Sequence, residues 1–335
     1  MTGIDYIRDR SAWEPADLKQ SLDWQYRLSS QDIIELKRAL TECQKFITGL
    51  RDINRDNFPL NDLSDTLNWV GQSLENDRGI VVIKGLPIEQ FTKEELRILY
   101  VGIGNYVGMP LKQSTQGEII QDVYDQGENL YANSGRGTNS SNRLPWHTDR
   151  CDVVSLLCLN KSEVGGESKL ASLTNVYNKI KQERPELADV LCSPFCHGRA
   201  PFERDDAQPW YELPVFTQYE GKFASRYLRR FIEIAQEYRD VPRFSDLQVA
   251  ALDYLDARLD QVDVCLDLPF EKGDIQFLNN FTVCHSRNEY QDSEQHARFL
   301  FRLWLAAYRG RNLDPAFKPL YGATKGGENR GGIWF

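Results

Sequence analysis

The heptapeptide Leu144-Pro145-Trp146-His147-Thr148-Asp149-Arg150 constrains this chain more than any other stretch. Side chains alternate along an extended strand, so His147 and Asp149 can project from one side. An imidazole and a carboxylate so placed leave a metal ion one protein ligand short of a facial triad. In that arrangement two His and one carboxylate bind one face of the ion and the opposite face stays open. The rest of the sequence has to supply the third ligand.

Few residues can do so, because the chain has only four histidines, His147, His197, His285 and His296. His285 lies in Val283-Cys284-His285-Ser286-Arg287-Asn288, after a predicted strand at Gly273-Asp274-Ile275-Gln276-Phe277-Leu278 and a turn at Asn279-Asn280. Further on, Arg298-Phe299-Leu300-Phe301-Arg302-Leu303-Trp304-Leu305 sets two arginines into an apolar strand. At i and i+4 they share a face. A guanidinium offers a planar carboxylate two parallel hydrogen bonds. The seven cysteines are odd in number and scattered, which fits reduced thiols in a cytoplasmic enzyme better than a disulfide framework. Cys192 and Cys196 lack a second close pair, so no zinc site of that kind is expected.

Taken in order, His147-X-Asp149, His285 within Gly-Asp-Ile…Asn-Asn…His-Ser-Arg and the arginine that follows resemble the taurine dioxygenase/clavaminate synthase family across residues 78–310. The resemblance implies an Fe(II)- and 2-oxoglutarate-dependent oxygenase with O2 as second cosubstrate. It implies His147, Asp149 and His285 as iron ligands and Arg298 as the holder of the distal carboxylate of 2-oxoglutarate. Ser168, in Gly165-Gly166-Glu167-Ser168, falls where the family carries a hydroxyl that assists that carboxylate. Arg302 matches a second family arginine and is expected as a cosubstrate contact. His197 and His296 match no family residue and are expected in structural or surface roles. The family couples oxidative decarboxylation of 2-oxoglutarate to hydrogen abstraction from a substrate carbon. Hydroxylation is the default outcome, with desaturation and ring closure as the variants implied. The halogenases of the superfamily lack the carboxylate that Asp149 retains, so halogenation is not expected.

The fold implied is mainly β with flanking helices, built on a double-stranded β-helix (jelly roll, cupin-like) core. One oxygenase domain is expected over 1–335. It comprises N-terminal helical support at 1–77, a core with an insertion between the iron motifs at 78–310, and a tail at 311–335. Hydrophobic spacing predicts helices over 33–56, 63–74, 92–106, 173–192, 226–238 and 245–262, the first opened by Ser29 with Asp32. Strands are expected at 79–84, 119–123, 153–159 and 298–308. The Asn/Ser/Gly-rich stretch 126–142 cannot form a core and reads as a substrate-facing loop directly before His147.

Asn133 and Arg136 in that loop, with Arg143, point to a small polar, carboxylate-bearing substrate such as an amino acid or a natural-product intermediate. The tail Gly326-Gly327-Glu328-Asn329-Arg330-Gly331-Gly332-Ile333-Trp334-Phe335 reads as a docking segment. In it Arg330 is a candidate substrate-carboxylate anchor, with Ile333 and Phe335 beside it, and a core-packing tail with no substrate role is the alternative. A net charge of −9 without a basic run argues against nucleic acid. The N-terminus lacks the basic and apolar regions of a signal peptide, and no apolar run reaches the ~18 residues of a membrane span. A non-catalytic jelly-roll metal-binding protein and a zinc hydrolase are the readings from other classes; retention of every ligand together with Arg298 argues against the first, and the second leaves Arg298 and Ser168 without a purpose. A sulfonate-oxidising dioxygenase has no specific residue in its favour.

Overall fold

The computed structural model describes residues 4–128, 137–199 and 208–333. The chain opens with α1 (Pro15–Gln20), β1 (Gln25–Arg27), α2 (Ser30–Cys43) and α3 (Asp62–Asn76). Helix α2 starts on a reciprocal cap: Asp32 N–H donates to Ser29 Oγ at 3.2 Å and Ser29 N–H donates to the Asp32 carboxylate at 2.7 Å. It ends at Cys43, short of the expected 56. Beyond it the Asp52 carboxylate accepts the backbone N–H groups of Thr48 and Gly49, so a side chain takes donors that a continuing helix would use. The chain makes a 3-10 turn at Leu50–Asp52 instead.

Next come β2 (Ile80–Lys84), α4 (Lys93–Gly104), β3 (Gly108–Pro110) and β4 (Ile120–Val123). After them follow β5 (Leu144–His147), β6 (Val153–Asn160), β7 (Val164–Gly165) and β8 (Ser168–Ser172). The expected helix over 173–192 is two helices, α5 (Leu173–Glu183) and α6 (Pro185–Leu191). Pro185 has no N–H to continue the first and pushes Arg184 out of helical geometry, to φ −145°. Short strands fill the next stretch: β9 (Pro194–Gly198), β10 (Trp210–Pro214), β11 (Phe216–Tyr219) and β12 (Lys222–Ser225). Helix α7 (Arg229–Ala235) is shorter than expected, because Thr148 and Tyr227 hold residues 226–228 extended through backbone bonds. The chain continues with α8 (Asp246–Leu259), β13 (Cys265–Leu268), β14 (Ile275–Asn279), β15 (Val283–Arg287), β16 (Tyr290–Gln291), β17 (Phe299–Ala307) and α9 (Lys318–Tyr321).

Two sheets dominate. The larger runs β1-β2-β14-β6-β17-β3, with β4 also paired to β17, and the smaller runs β13-β8-β15-β5. Period-two alternation sorts each strand between two cores. Val82, Val154, Leu278 and Trp304 of the large sheet meet Leu170, Val283, Leu266 and Leu268 of the small one. Val81, Ile83, Phe277 and Phe301 point the other way, onto Leu36, Leu67, Val70 and Leu99 of the N-terminal helices. The outer side of the small sheet, through Ala171 and Cys284, packs on Val176, Leu187 and Leu255 of α5, α6 and α8. Each such aliphatic or aromatic side chain contributes about 1.5–3 kcal/mol on full burial. The arrangement is therefore mixed sheets clad by helices, and β1 shows that the N-terminal segment supplies a strand as well as helical support. Among the described residues no helix is long and apolar enough to cross a membrane.

Candidate metal centre

Antiparallel pairing of β15 with β5 sets His285 directly opposite His147. Strand β5 ends at His147, so Asp149 lies just beyond the strand rather than on it. Its backbone N–H donates to Asn280 Oδ1 at 3.0 Å, which turns the carboxylate back towards the imidazoles. Asp149 Oδ1 is 3.9 Å from His147 Nε2, and Oδ2 is 3.7 Å from His285 Nε2. One ligand atom from each of the three residues lies within 4.8 Å of the others, and all three residues are buried. Among the described residues no other group of His, Cys, Asp and Glu gathers this way.

The protonation states suit a metal. Burial, then the neighbouring His147, holds the His285 imidazole down at about 3, and burial likewise lowers His147. Burial works to raise the Asp149 carboxyl, but Arg302, His285, His147 and Trp304 outweigh it and hold it at about 2. Two neutral imidazoles and an ionised carboxylate are the ligating forms. His147 Nδ1 lies 2.8 Å from Pro145 O, a contact that places the proton on Nδ1 and leaves Nε2 as the lone pair facing the site. Trp304 Nε1–H donates to Asp149 Oδ2 at 3.0 Å, and Arg302 Nη1 is 3.6 Å from Oδ1. A borderline donor set of two imidazole nitrogens and one carboxylate oxygen fits Fe(II).

A second constellation lies at the start of β17. Arg298 is buried, and its Nη1 has no hydrogen-bond partner among the described residues. Arg287, also buried, donates to the carbonyls of Gly137, Ser140 and Asn142, but its Nε has no partner among the described residues. Both guanidinium carbons sit over the Tyr290 ring, at 4.8 Å for Arg287 and 5.2 Å for Arg298. Burial and the adjacent Arg298 bring Arg287 down to about 10. Two buried cations that pair with no acid among the described residues call for an anion. Ser168 faces Arg287 across the β8–β15 ladder. Gly166, at φ +80°, passes so close that a Cβ would sit 3.1 Å from Arg298 Cδ and 3.2 Å from its Nε. A carboxylate fits this cradle.

The other sequence candidates are placed as follows. Arg302 lies within β17 against Asp149 and donates from Nε to Gln113 Oε1 at 2.8 Å. Arg143 is exposed and pairs with Asp260 at 2.5 Å. Arg330, expected either as a substrate anchor or in a core-packing tail, is 0% exposed, with Nε on both Asp152 oxygens, Nη1 on Thr324 O and Nη2 on Arg311 O. Its fork is spent on holding the tail, which leaves none for a substrate carboxylate. Ile333 is buried in the core between the sheets with Leu111 and Trp304. His197 is buried on Leu213 O, and His296 is exposed near Glu163. Asn133, Arg136 and Phe335 lie outside the described residues.

Comparison with known proteins gives the same chemistry. A family model described as taurine catabolism dioxygenase TauD, TfdA family matches residues 40–304. The chain belongs to that family. FR-33289 synthase from Streptomyces rubellomurinus is 26% identical over 313 residues, covering 92% of each protein. The fold is shared with an asparagine oxygenase solved with Fe(II), 2S,3S-3-hydroxyasparagine and succinate. That match has a TM-score of 0.67 and 16% identity over 84% of this chain and 93% of the other. The non-heme iron oxygenase OrfP with Fe and alpha-ketoglutaric acid aligns at TM-score 0.63 and 19% identity, with the same coverage. This TauD/TfdA family member is an Fe(II)/2-oxoglutarate-dependent dioxygenase, with iron and 2-oxoglutarate as its cofactor and cosubstrate.

Four contributors to the site were absent from the sequence reading: Trp304, Asn280, Arg287 and Arg226. Asn280 and Arg287 stand inside the quoted motifs, and Trp304 two residues from Arg302. The period-two rule could therefore have set Trp304 on the Arg302 face. Nothing local marks Arg226, which depends on a non-local contact with Thr148.

Proposed function

We propose that this dioxygenase hydroxylates a small polar, carboxylate-bearing molecule, with an amino acid or a natural-product intermediate as the preferred class. The observation that carries the reading is the His147–Asp149–His285 cluster within reach of Arg302, together with an Arg298 Nη1 that has no partner among the described residues and an Arg287 set opposite Ser168. His147, Asp149 and His285 would hold the iron. Arg298 and Ser168 would bind the distal carboxylate of 2-oxoglutarate, and Arg302 would face the same cosubstrate. When bound, iron and 2-oxoglutarate supply the oxidising power: O2, 2-oxoglutarate and R–H give R–OH, succinate and CO2.

The protein's own part is orientation and exclusion of water. Burial keeps the imidazoles neutral and Trp304 fixes one oxygen of Asp149, so the carboxylate stays aligned. The facing sheets we read as the double-stranded β-helix, with the ligands at its small-sheet edge. The amino-acid preference is supported by the two structural neighbours, whose bound products are a hydroxyasparagine and a hydroxy-L-Arg. The test is a panel of amino acids and related carboxylates, scored by succinate release and product mass. Succinate coupled to addition of one oxygen supports hydroxylation. Loss of two hydrogens makes the enzyme a desaturase or cyclase, and coupling only with substrates that lack a carboxylate overturns the substrate class.

A further inference from the structure

Arg226 is a buried cation that touches neither the three proposed ligands nor the proposed carboxylate cradle, only the Thr148 between two of the ligands. It is 3% exposed, and no carboxylate pairs with it among the described residues. Its Nη1 donates to the carbonyl oxygen of Thr148 and, at 3.1 Å, to Thr148 Oγ1, while its Nε is enclosed without a partner among the described residues. Burying a guanidinium with a donor unspent is unfavourable. A side chain there only to fill space would be better apolar.

What it grips is informative. Thr148 is the one residue between His147 and Asp149, and every polar group it carries is held by the Arg226–Tyr227 segment. Thr148 N–H donates to Tyr227 O at 2.8 Å, its hydroxyl accepts Tyr227 N–H at 3.1 Å, and its carbonyl accepts Arg226 Nη1. Leu228 then bridges to His147 itself. Strand β5 stops at His147, so no regular ladder fixes the backbone between the two ligands. The Thr148 carbonyl sets the peptide plane that leads into Asp149.

We propose that Arg226 is a positioning residue of the metal centre: by clamping the Thr148 carbonyl it fixes the relative placement of His147 and Asp149, so that both meet one ion. The proposal rests on the reading of the triad as an Fe(II) site. Outer-shell partners of this kind set metal affinity without touching the ion, and their loss weakens it about ten- to a hundredfold.

The test is anaerobic Fe(II) titration against a chromophoric chelator, with the visible band of the Fe(II)–2-oxoglutarate complex and the thermal midpoint recorded on the same samples. Arg226→Met keeps the bulk and removes charge and donors. Its Fe(II) dissociation constant is expected to rise at least about tenfold, with the band weakened or shifted and Arg226→Lys intermediate. A bystander charge predicts the opposite sign, since removing a cation beside a cation tightens binding. A merely structural role predicts a lower midpoint with unchanged affinity. Affinity equal to or tighter than wild type in Arg226→Met overturns the proposal. If that variant does not fold, Arg226→Lys decides: weaker Fe(II) binding supports the clamp and wild-type affinity overturns it. Failure of the wild-type protein to bind Fe(II) would instead sink the metal-site reading on which the proposal rests.

Discussion

Trp304 donates its indole N–H to Asp149 Oδ2 at 3.0 Å, from the strand whose Arg302 lies 3.6 Å from Oδ1 of the same carboxylate. Residues two apart on one strand face thus hold the two oxygens of one metal ligand. Trp304→Phe removes the hydrogen bond and keeps most of the apolar packing. A hydrogen bond to a charged group is worth about 1.5–3 kcal/mol, so Fe(II) affinity is expected to fall about tenfold or more. Chelator competition measures it, and an unchanged constant would show that Arg302 suffices to orient Asp149.

The ligand triad was legible in the sequence because metal chemistry admits few residue types and this chain has few histidines to choose from. The strands around it were legible through their apolar runs. Trp304, Asn280 and Arg226 were not, because their roles arise from strand register and from segments far apart in the chain, neither of which periodicity reports. Of the two roles open to the tail, the contacts of Arg330 favour core packing over a substrate anchor. A guanidinium in a glycine-rich tail looks available for a ligand, yet Asp152, some 180 positions earlier, claims it. The over-long helix at 173–192 came from reading apolar spacing through Pro185, whose steric effect on Arg184 ends α5.

Arg298→Met is expected to separate cosubstrate binding from folding. Its Nη1 is buried without a partner among the described residues, and its neighbour Arg287 is a second buried cation. Removing one charge should leave the cosubstrate-free protein as stable as wild type or more so. The same change should raise the 2-oxoglutarate dissociation constant by two orders of magnitude or more, about 3 kcal/mol. Thermal unfolding with and without 2-oxoglutarate reads both. A destabilised cosubstrate-free protein with unaltered 2-oxoglutarate affinity would make Arg298 structural.

His197 provides a pH dependence. Burial, then the nearby Arg226, depresses its imidazole from the ordinary 6.5 to about 3. The folded protein keeps it neutral while the unfolded chain takes up a proton below 6.5. Stability present above pH 6.5 is therefore lost as pH falls towards 3, by up to about 1.4 kcal/mol for each pH unit. His197→Gln can still donate to the Leu213 carbonyl, which lies 3.1 Å from His197 Nε2. It is expected to flatten the acid limb of urea-denaturation stability by one proton. An identical slope in the variant would assign that limb to other groups.

The tail supplies the last expectation. Arg330 Nε lies 2.9 Å from Asp152 Oδ1, and the two side chains are 0% and 2% exposed. Removing one partner of such a pair leaves the other charge buried and alone, which costs about 3–5 kcal/mol. Arg330→Met should therefore lower the unfolding midpoint sharply. The double variant Arg330→Met/Asp152→Asn should recover part of the loss, because the orphaned carboxylate becomes a neutral amide. At a temperature where both variants are folded, the KM for substrate should match wild type, since the guanidinium faces Asp152 and backbone carbonyls rather than a ligand. A raised KM with an unchanged midpoint would restore Arg330 as the substrate-carboxylate anchor.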